Sequence, residues 1–444
     1  MVQKLTTNST GLMNKSEGGG VIARIYGASW DGLAPPALVR TDSAVGKVAN
    51  AGVDAGIVAN DFDSIYPWSA MAAHIDVFGN VFIRIPKFYI EKTAVGVART
   101  WRISGAPFGN SYIPACFANA SYIDVGKYNA NLNGAAIESK VATFPYYNAT
   151  IVQMRAAAVA NGAGYYQMDI HVADIIRTLF YVEFATLHSQ SVMYGFANGA
   201  YNAAHTATVN ENAVNRVIVA NATAALFVVG QTVGLGTSLG GNQIIADRVI
   251  TSIDVYDAGN KGITVDGAAF NVAIGNILYS LGWKSGFSSS ITAKSGSLTS
   301  NSSGLYPCKY REIENPWGSV YELVDGVNIN EYQAWVCRTP ADYASNVFAA
   351  PYEQLSYVNH NADGYPTVIG FDPACPFANF PTAVGGSTAT YYADYYYRAA
   401  GQRIALLGGP WSYGGWSGLF YWNLASDSVG LSVSVGGRLI KAGV

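Results

Sequence analysis

The chain has 444 residues, a formal net charge of −3 and only 12% charged residues, where soluble domains usually carry about 25%. At roughly 100 to 200 residues per domain, this length sets an expectation of roughly two to four domains. No basic block offers a footprint for nucleic acid or a polybasic hold on an anionic membrane, so neither partner is expected.

No stretch of the sequence approaches the roughly 18 to 20 continuous apolar residues of a membrane helix, so no membrane insertion is expected. The opening MVQKLTTNSTGLMNKSEGGG lacks the apolar run of a secretory leader, which points to synthesis in the cytoplasm. Cys116, Cys308, Cys337 and Cys375 are widely spaced and form no C-x-x-C pair. They read as buried thiols rather than a zinc or redox site, with a bridge from Cys308 to Cys337 or Cys375 as the alternative.

Residues 21–92 alternate short apolar runs with turn signals and read as a small β-rich unit. Within them, 81–90 carries the clearest period-2 pattern, and Pro86 limits that strand to an edge or an end. Residues 93–150 read as irregular, and the whole of 1–150 as a β-rich N-terminal region for attachment or oligomerisation. A helix is predicted over 151–161, closed by Gly162 and Gly164. Asp169 caps a second, running to about Gln190, with Ile170, Ala173, Ile176, Phe180, Glu183 and Leu187 on one face. A carboxylate on that apolar stripe needs a partner, so Glu183 reads as a structural tether rather than a catalytic acid.

Between 205 and 282, five β-type runs (RVIVAN, ALFVVGQTVGLG, IIADRVITSIDVYD, KGITVDG and VAIGNILYSLG) are separated by Asn, Gly and Asp turns. They predict a compact β-barrel-like insertion. The run GLGTSLG at 234–240 misses the G-x-G-x-x-G spacing and precedes no long helix, so it reads as a turn between strands. The Ser/Gly/Thr stretch 285–304 reads as a linker or surface loop. Beyond Leu305 the chain is loop-rich, with eleven aromatic residues from Tyr391 to Trp422. Such a segment is expected to be held as loops on a rigid scaffold, where binding residues are commonly placed.

Three elements in this last segment carry a family resemblance: ENPWGSVYELVDG at 314–326, Gly408-Gly409-Pro410-Trp411-Ser412, and Gly436-Gly437-Arg438-Leu439. In this order they resemble the C-type-lectin fold in its formylglycine-generating-enzyme-like branch. The oxidase of that branch uses a cysteine pair near its C-terminal strands, whereas no cysteine follows Cys375 here. The stretch from Gly408 onward also resembles the variable region of proteins diversified by retroelements, such as phage tropism determinants. The front of the chain is similar to prophage tail-fibre proteins through Ile25-Tyr26-Gly27, Trp30-Asp31-Gly32, Asp63-Ser64-Ile65-Tyr66-Pro67-Trp68 and Ile85-Pro86-Lys87-Phe88-Tyr89.

The resemblance implies a multidomain α+β chain: a β-rich N-terminal unit, a helical start of the lectin-like domain at 151–204, a small β insertion at 205–284, and the remainder of the domain at 285–444. It implies a ligand-binding face made of Tyr397, Arg398, Pro410, Ser412, Tyr413, Gly415, Trp416, Tyr421, Asn423, Ala425, Asp427 and Leu431. Leu419, Leu424, Gly408, Gly409, Gly436, Gly437 and Leu439 would be scaffold, and Trp411 and Trp422 core. The implied partners are a host cell-surface protein or glycan and the tail or baseplate proteins, with a homotrimer displayed on the virion tail. Tyr and Trp give large contact area for few rotatable bonds, as in antibody paratopes.

The alternative to receptor binding is a structural tail protein without it or, after that, a glycan-degrading tail enzyme; an enzyme is not expected. His74, His171, His188, His205 and His360 have no ligand spacing, and neither a G-x-S-x-G nor a P-loop occurs. Asp325, Asp372 and Asp394 are the carboxylates from which a glycan-cleaving pair would have to be drawn. No cofactor is expected. Calcium is the alternative, but Glu314-Asn315-Pro316 has the residues of a lectin calcium motif in another order and reads as a turn before Trp317.

Overall fold

The longest helix begins where its capping signal lies. In the computed structural model, which describes residues 24–118, 120–201 and 205–443, the Asp169 carboxylate accepts from Val172 N at 2.8 Å and opens Ile170–Phe184. The helix stops at Ala185, in the left-handed region at φ 52°, short of the expected Gln190. All fifteen of its residues are buried, so the helix is enclosed on every side rather than lying on a surface by one stripe. The shorter helix Ile151–Val159 starts with a Thr150–Gln153 capping box.

Sheets wrap the long helix. Strands hold 39% of the residues and helices 12%, so the protein is mostly β. A four-stranded sheet runs in the order Val39–Asp42, Ile25–Trp30, Ala98–Ser104, Tyr89–Val95, and a five-stranded one in the order Tyr165–Gln167, Leu439–Ala442, Tyr122–Gly126, Val81–Pro86, Ala72–Ile75. The expectation that 93–150 is irregular is therefore corrected, since Ala98–Ser104 and Tyr122–Gly126 are interior strands of these sheets. Pro86 is the last residue of a strand that itself lies inside its sheet, a position where a missing N–H is tolerated.

The largest sheet runs Glu353–Val358, Gln333–Val336, Tyr321–Asn330, Gln402–Gly408, Gly418–Leu424, Tyr396–Arg398, with Val435–Gly436 alongside Tyr321. One of its faces supplies Leu407, Trp422 and Tyr396 to a core that also contains Tyr26, Trp68, Ile85, the helix residue Phe180, and Ile440. Residues 24–150 thus share a core with the helix and the C-terminal strands, and 150 does not separate two cores. The other face packs Leu323, Ile404, Leu406 and Tyr421 against Ile151 and Met154 of the short helix.

The five β runs after 205 form one sheet in the order Arg216–Ala220, Asn260–Val265, Gly241–Val255, Thr232–Ser238, Ile277–Ser280. It encloses a core of its own around Val217, Val219, Leu235 and Ile263. Most of 234–240 lies in the strand Thr232–Ser238 rather than in a turn. Gly234 is required there because a Cβ would stand 2.6 Å from the Tyr279 ring.

The stretch 285–304 is not a linker. Gly296–Ser297 pairs parallel with Gly52–Val53, while Gly286 N (2.9 Å), Ser288 N (2.9 Å) and Ser288 Oγ (2.5 Å) donate to the buried Glu314 carboxylate. Glu183 is a tether, as its position on the helix implied. It accepts from Arg311 Nε (2.9 Å) and Nη2 (2.5 Å), Tyr310 Oη (3.0 Å) and Asn60 Nδ2 (2.8 Å). Arg311 also binds the exposed Asp63 at 2.6 Å, so one network, buried around Glu183, joins the N-terminal segment, the helix and the strand region near 310.

Candidate binding surface

The strand Gly418–Leu424 reads GLFYWNL and is buried at every residue, because both faces of its sheet are covered. That decides the fate of three expected surface residues. Tyr421 is 0% exposed and shares a 2.8 Å hydroxyl contact with Tyr321. Asn423 is buried, with its side-chain oxygen accepting from Ala425 N at 2.8 Å. Pro410 is buried, and its carbonyl accepts from Ser417 Oγ at 3.0 Å. All three are structural, which corrects their assignment to a ligand face.

The other nine lie at or near the surface in two groups. Ser412, Tyr413, Gly415 and Trp416 belong to the loop before the strand, while Ala425, Asp427 and Leu431 follow it. Tyr397 and Arg398, on the parallel neighbour Tyr396–Arg398, stand beside Asn423 and Leu424 at the strand's later end. Trp416 is 44% and Tyr397 42% exposed. The residues expected as scaffold, Leu419, Leu424, Leu439, Gly408, Gly409, Gly436 and Gly437, are buried, and so are Trp411 and Trp422.

The first loop is held from several sides. Gly414 N donates to Ala197 O (2.8 Å), Gln190 Nε2 donates to Gly414 O (2.8 Å), and Tyr395 N donates to Trp416 O (3.0 Å). Trp411 O accepts from Gly199 N at 2.6 Å. On this frame Trp416 stacks on Tyr395, with centroids 4.5 Å apart and planes 13° from parallel. Tyr413 meets Trp416 edge-on at 5.7 Å and 89°, and Tyr365 meets Tyr395 at 5.1 Å and 86°. The result is a row of four partly exposed aromatic rings in geometries favoured by ring quadrupoles.

Two members of the row, Tyr365 and Tyr395, were not expected. Tyr395 was legible in principle, since it alternates with Tyr397 along the chain and so shares its side of the sheet. Tyr365 comes from a distant segment and left no signal.

The row carries no charge of its own. Burial pushes the Tyr365 phenol up to about 12 and raises Tyr395. The nearby Arg398 is matched by Asp363 at 3.7 Å. Beneath the loop, burial lifts the Asp394 carboxyl to about 7, and it accepts from Ser189 Oγ and Phe420 N, both at 2.9 Å.

The carboxylates considered for glycan cleavage are otherwise engaged. Asp325 is bound in bidentate fashion by Arg155 at 2.7 and 2.8 Å, and Asp372 accepts from Ser356 N (2.8 Å) and Ala374 N (2.9 Å). Burial lowers the His171 imidazole to about 4, and its Nε2 lies 3.2 Å from Cys337 O. Among the described residues no three His, Cys, Asp or Glu side chains are grouped to hold a metal. The four cysteines are buried and unbridged, and burial pushes Cys375 up to about 12. Compared with known proteins, the chain matches no family model and no curated protein.

Proposed function

We propose that this chain is a receptor-binding protein of a phage or prophage tail, presenting a ligand face on a C-type-lectin-like scaffold. The observation that carries the reading is the aromatic row Tyr365, Tyr395, Trp416 and Tyr413 on a loop fixed by hydrogen bonds from remote segments. A face built in this way offers large contact area with little ordering entropy left to lose on binding. Tyr397 and the paired Arg398 extend it, and Ser412 supplies a hydroxyl at its margin.

The scaffold part of the reading is supported by the meeting of its three motifs. A Cβ on Gly408 would lie 3.2 Å from Trp317 Cα. Arg438 pairs with buried Glu322 and donates to the carbonyls of Glu314 and Asn315 at 2.8 and 3.1 Å. In this proposal the ligand is a protein or glycan of the host surface. A homotrimer on the virion tail, joined to tail or baseplate proteins, raises a weak single-site affinity through effective concentration.

Adsorption to host cells tests it. Trp416→Ala and Tyr413→Ala together should reduce adsorption at least tenfold while the melting temperature changes by only a few degrees. Unchanged adsorption by a folded double variant overturns the reading.

A further inference from the structure

The interior between the four-stranded sheet, the long helix and the largest sheet holds more positive than negative charge. Two adjoining cavities, each with room for one water-sized occupant, share Tyr181, Ile369, Asn379 and Tyr392 as walls. Arg177 and Asp174 line one of them, and Lys92 and Arg99 the other. Three cations therefore face one carboxylate.

That carboxylate is already engaged, because Lys92 Nζ reaches both Asp174 oxygens at 2.5 and 2.6 Å. Arg177 is 4% exposed, and its Nε donates only to the backbone carbonyl of Ala173 at 3.2 Å. Its guanidinium lies 4.5 Å from the Trp422 ring centroid. Its Nη2 has no hydrogen-bond partner among the described residues. Arg99, 8% exposed, donates to the carbonyls of Gly96, Ala98 and Ile369, and its Nε is likewise unpartnered.

Asp174 attracts the Arg177 guanidinium as well, but one carboxylate cannot balance three cations; the excess positive charge buried here is costly, and a neutral water cannot cancel it. The phenols of Tyr181 and Tyr392 cannot serve as counter-ions either, since burial keeps both protonated; the Tyr181 hydroxyl donates to that of Tyr392, whose own proton is left to donate. We propose that a single monatomic anion of the chloride class binds in the cavity lined by Arg177, Tyr181 and Tyr392. Phosphate, sulfate and carboxylates are too large for the space. The site does not depend on the proposed receptor binding. It would join the long helix, through Arg177 and Tyr181, to the segment carrying Tyr392, two residues before Asp394.

Crystals of the full chain grown with sodium bromide, measured at the bromine edge, are the deciding experiment. The expected result is an anomalous peak within hydrogen-bonding distance of Arg177 Nη2. In parallel, the melting temperature should rise and saturate with chloride or bromide at constant ionic strength against gluconate, and this response should vanish in Arg177→Met. If that variant does not fold, the wild-type peak decides alone. A cavity without bromine density, filled by water, overturns the proposal whatever the melting data show.

Discussion

The loops before and after Gly418–Leu424 meet solvent in opposite ways. The first is fixed by backbone bonds to Ala197 and Gly199 and by the Gln190 side chain, and it displays rings that support one another. The second is tied at its flanks by Ile404 N to Ser426 O (2.9 Å), Asn346 to Ser428 (3.2 Å) and Asn148 N to Ser432 O (3.1 Å), but its tip rests on local turns such as Val429 N to Asp427 Oδ1 (3.1 Å) and leaves Val429 and Leu431 73% and 62% exposed. One strand thus separates a pre-organised aromatic surface from a loop whose apolar tip, Val429 to Leu431, is held by local turns at Asp427. Preorganisation lowers the cost of binding, so affinity should concentrate on the first loop.

The largest effect tests whether the strand between them is core. Tyr421→Ala should lose about 3–5 kcal/mol of stability, as large-to-small changes of buried aromatics do, read by denaturant unfolding. A loss below about 1 kcal/mol would return Tyr421 to the surface. The next contrast is in binding: Trp416→Ala should weaken host-cell binding by about 2 kcal/mol, roughly thirtyfold, whereas Leu431→Ala should leave it nearly unchanged. Equal losses would erase the distinction between the loops.

Backbone substitutions sharpen it further. Gly409 has φ 74°, and a Cβ there would stand 2.6 Å from Ser417 Oγ and 2.9 Å from its Cα, so Gly409→Ala should destabilise by about 1–3 kcal/mol. In the second loop the nearest atom to a Cβ on Gly430 is the Asp427 Oδ1, at 3.3 Å, and Gly430→Ala should stay within about 0.5 kcal/mol. Thermal melts of the two variants compare them directly.

A further effect is one of pH. Asp394 has its pKa raised from an unfolded value near 3.8 to about 7 by burial. The unfolded chain therefore binds fewer protons across that interval. Its contribution is full below about pH 4, declines by at most about 1.4 kcal/mol per pH unit, and levels off above about pH 7. Asp394→Asn should flatten that slope relative to wild type. Asp169, also lifted to about 7 by burial, should retain its own slope in the variant. Parallel stability curves for wild type and Asp394→Asn would show that Asp394 does not titrate in this way.

The helices and the inserted sheet were legible because their signals are local: the Asp169 cap, the Thr150–Gln153 box, and five β runs punctuated by turn residues. Ala98–Ser104 carried a signal in the alternation of Trp101 and Ile103 with Thr100 and Arg102, but the run is short and set among Asn-, Ala- and Gly-rich sequence that hid it. The serines of 285–304 look like solvent-facing polarity. The role of Ser288 as a buried donor to Glu314 depends on a partner 26 positions away.

At the surface, GLFYWNL gave no hint that both its faces are covered, because a run buried on both sides lacks the alternation that separates inside from outside. Tyr413, Trp416 and Tyr397 were expected at the surface from the family resemblance, and they lie on a loop and an edge strand that leave them partly exposed. The partnership of Trp416 with Tyr395 and Tyr365 was set by tertiary contacts alone.

The strand Leu439–Ala442 lies between Tyr165–Gln167 and Tyr122–Gly126, and Arg438 beside it reaches the carbonyls of Gly126 and Lys127. A ribosome emits the chain in order, so the sheet stays split for the time needed to translate some three hundred further residues, from Gly126 to Leu439. Until then Tyr122–Gly126 and Tyr165–Gln167 expose open edges that could pair with neighbouring nascent chains. Closure of the sheet waits for Leu439, and a chain halted before that residue lacks the strand that joins Tyr122–Gly126 to Tyr165–Gln167.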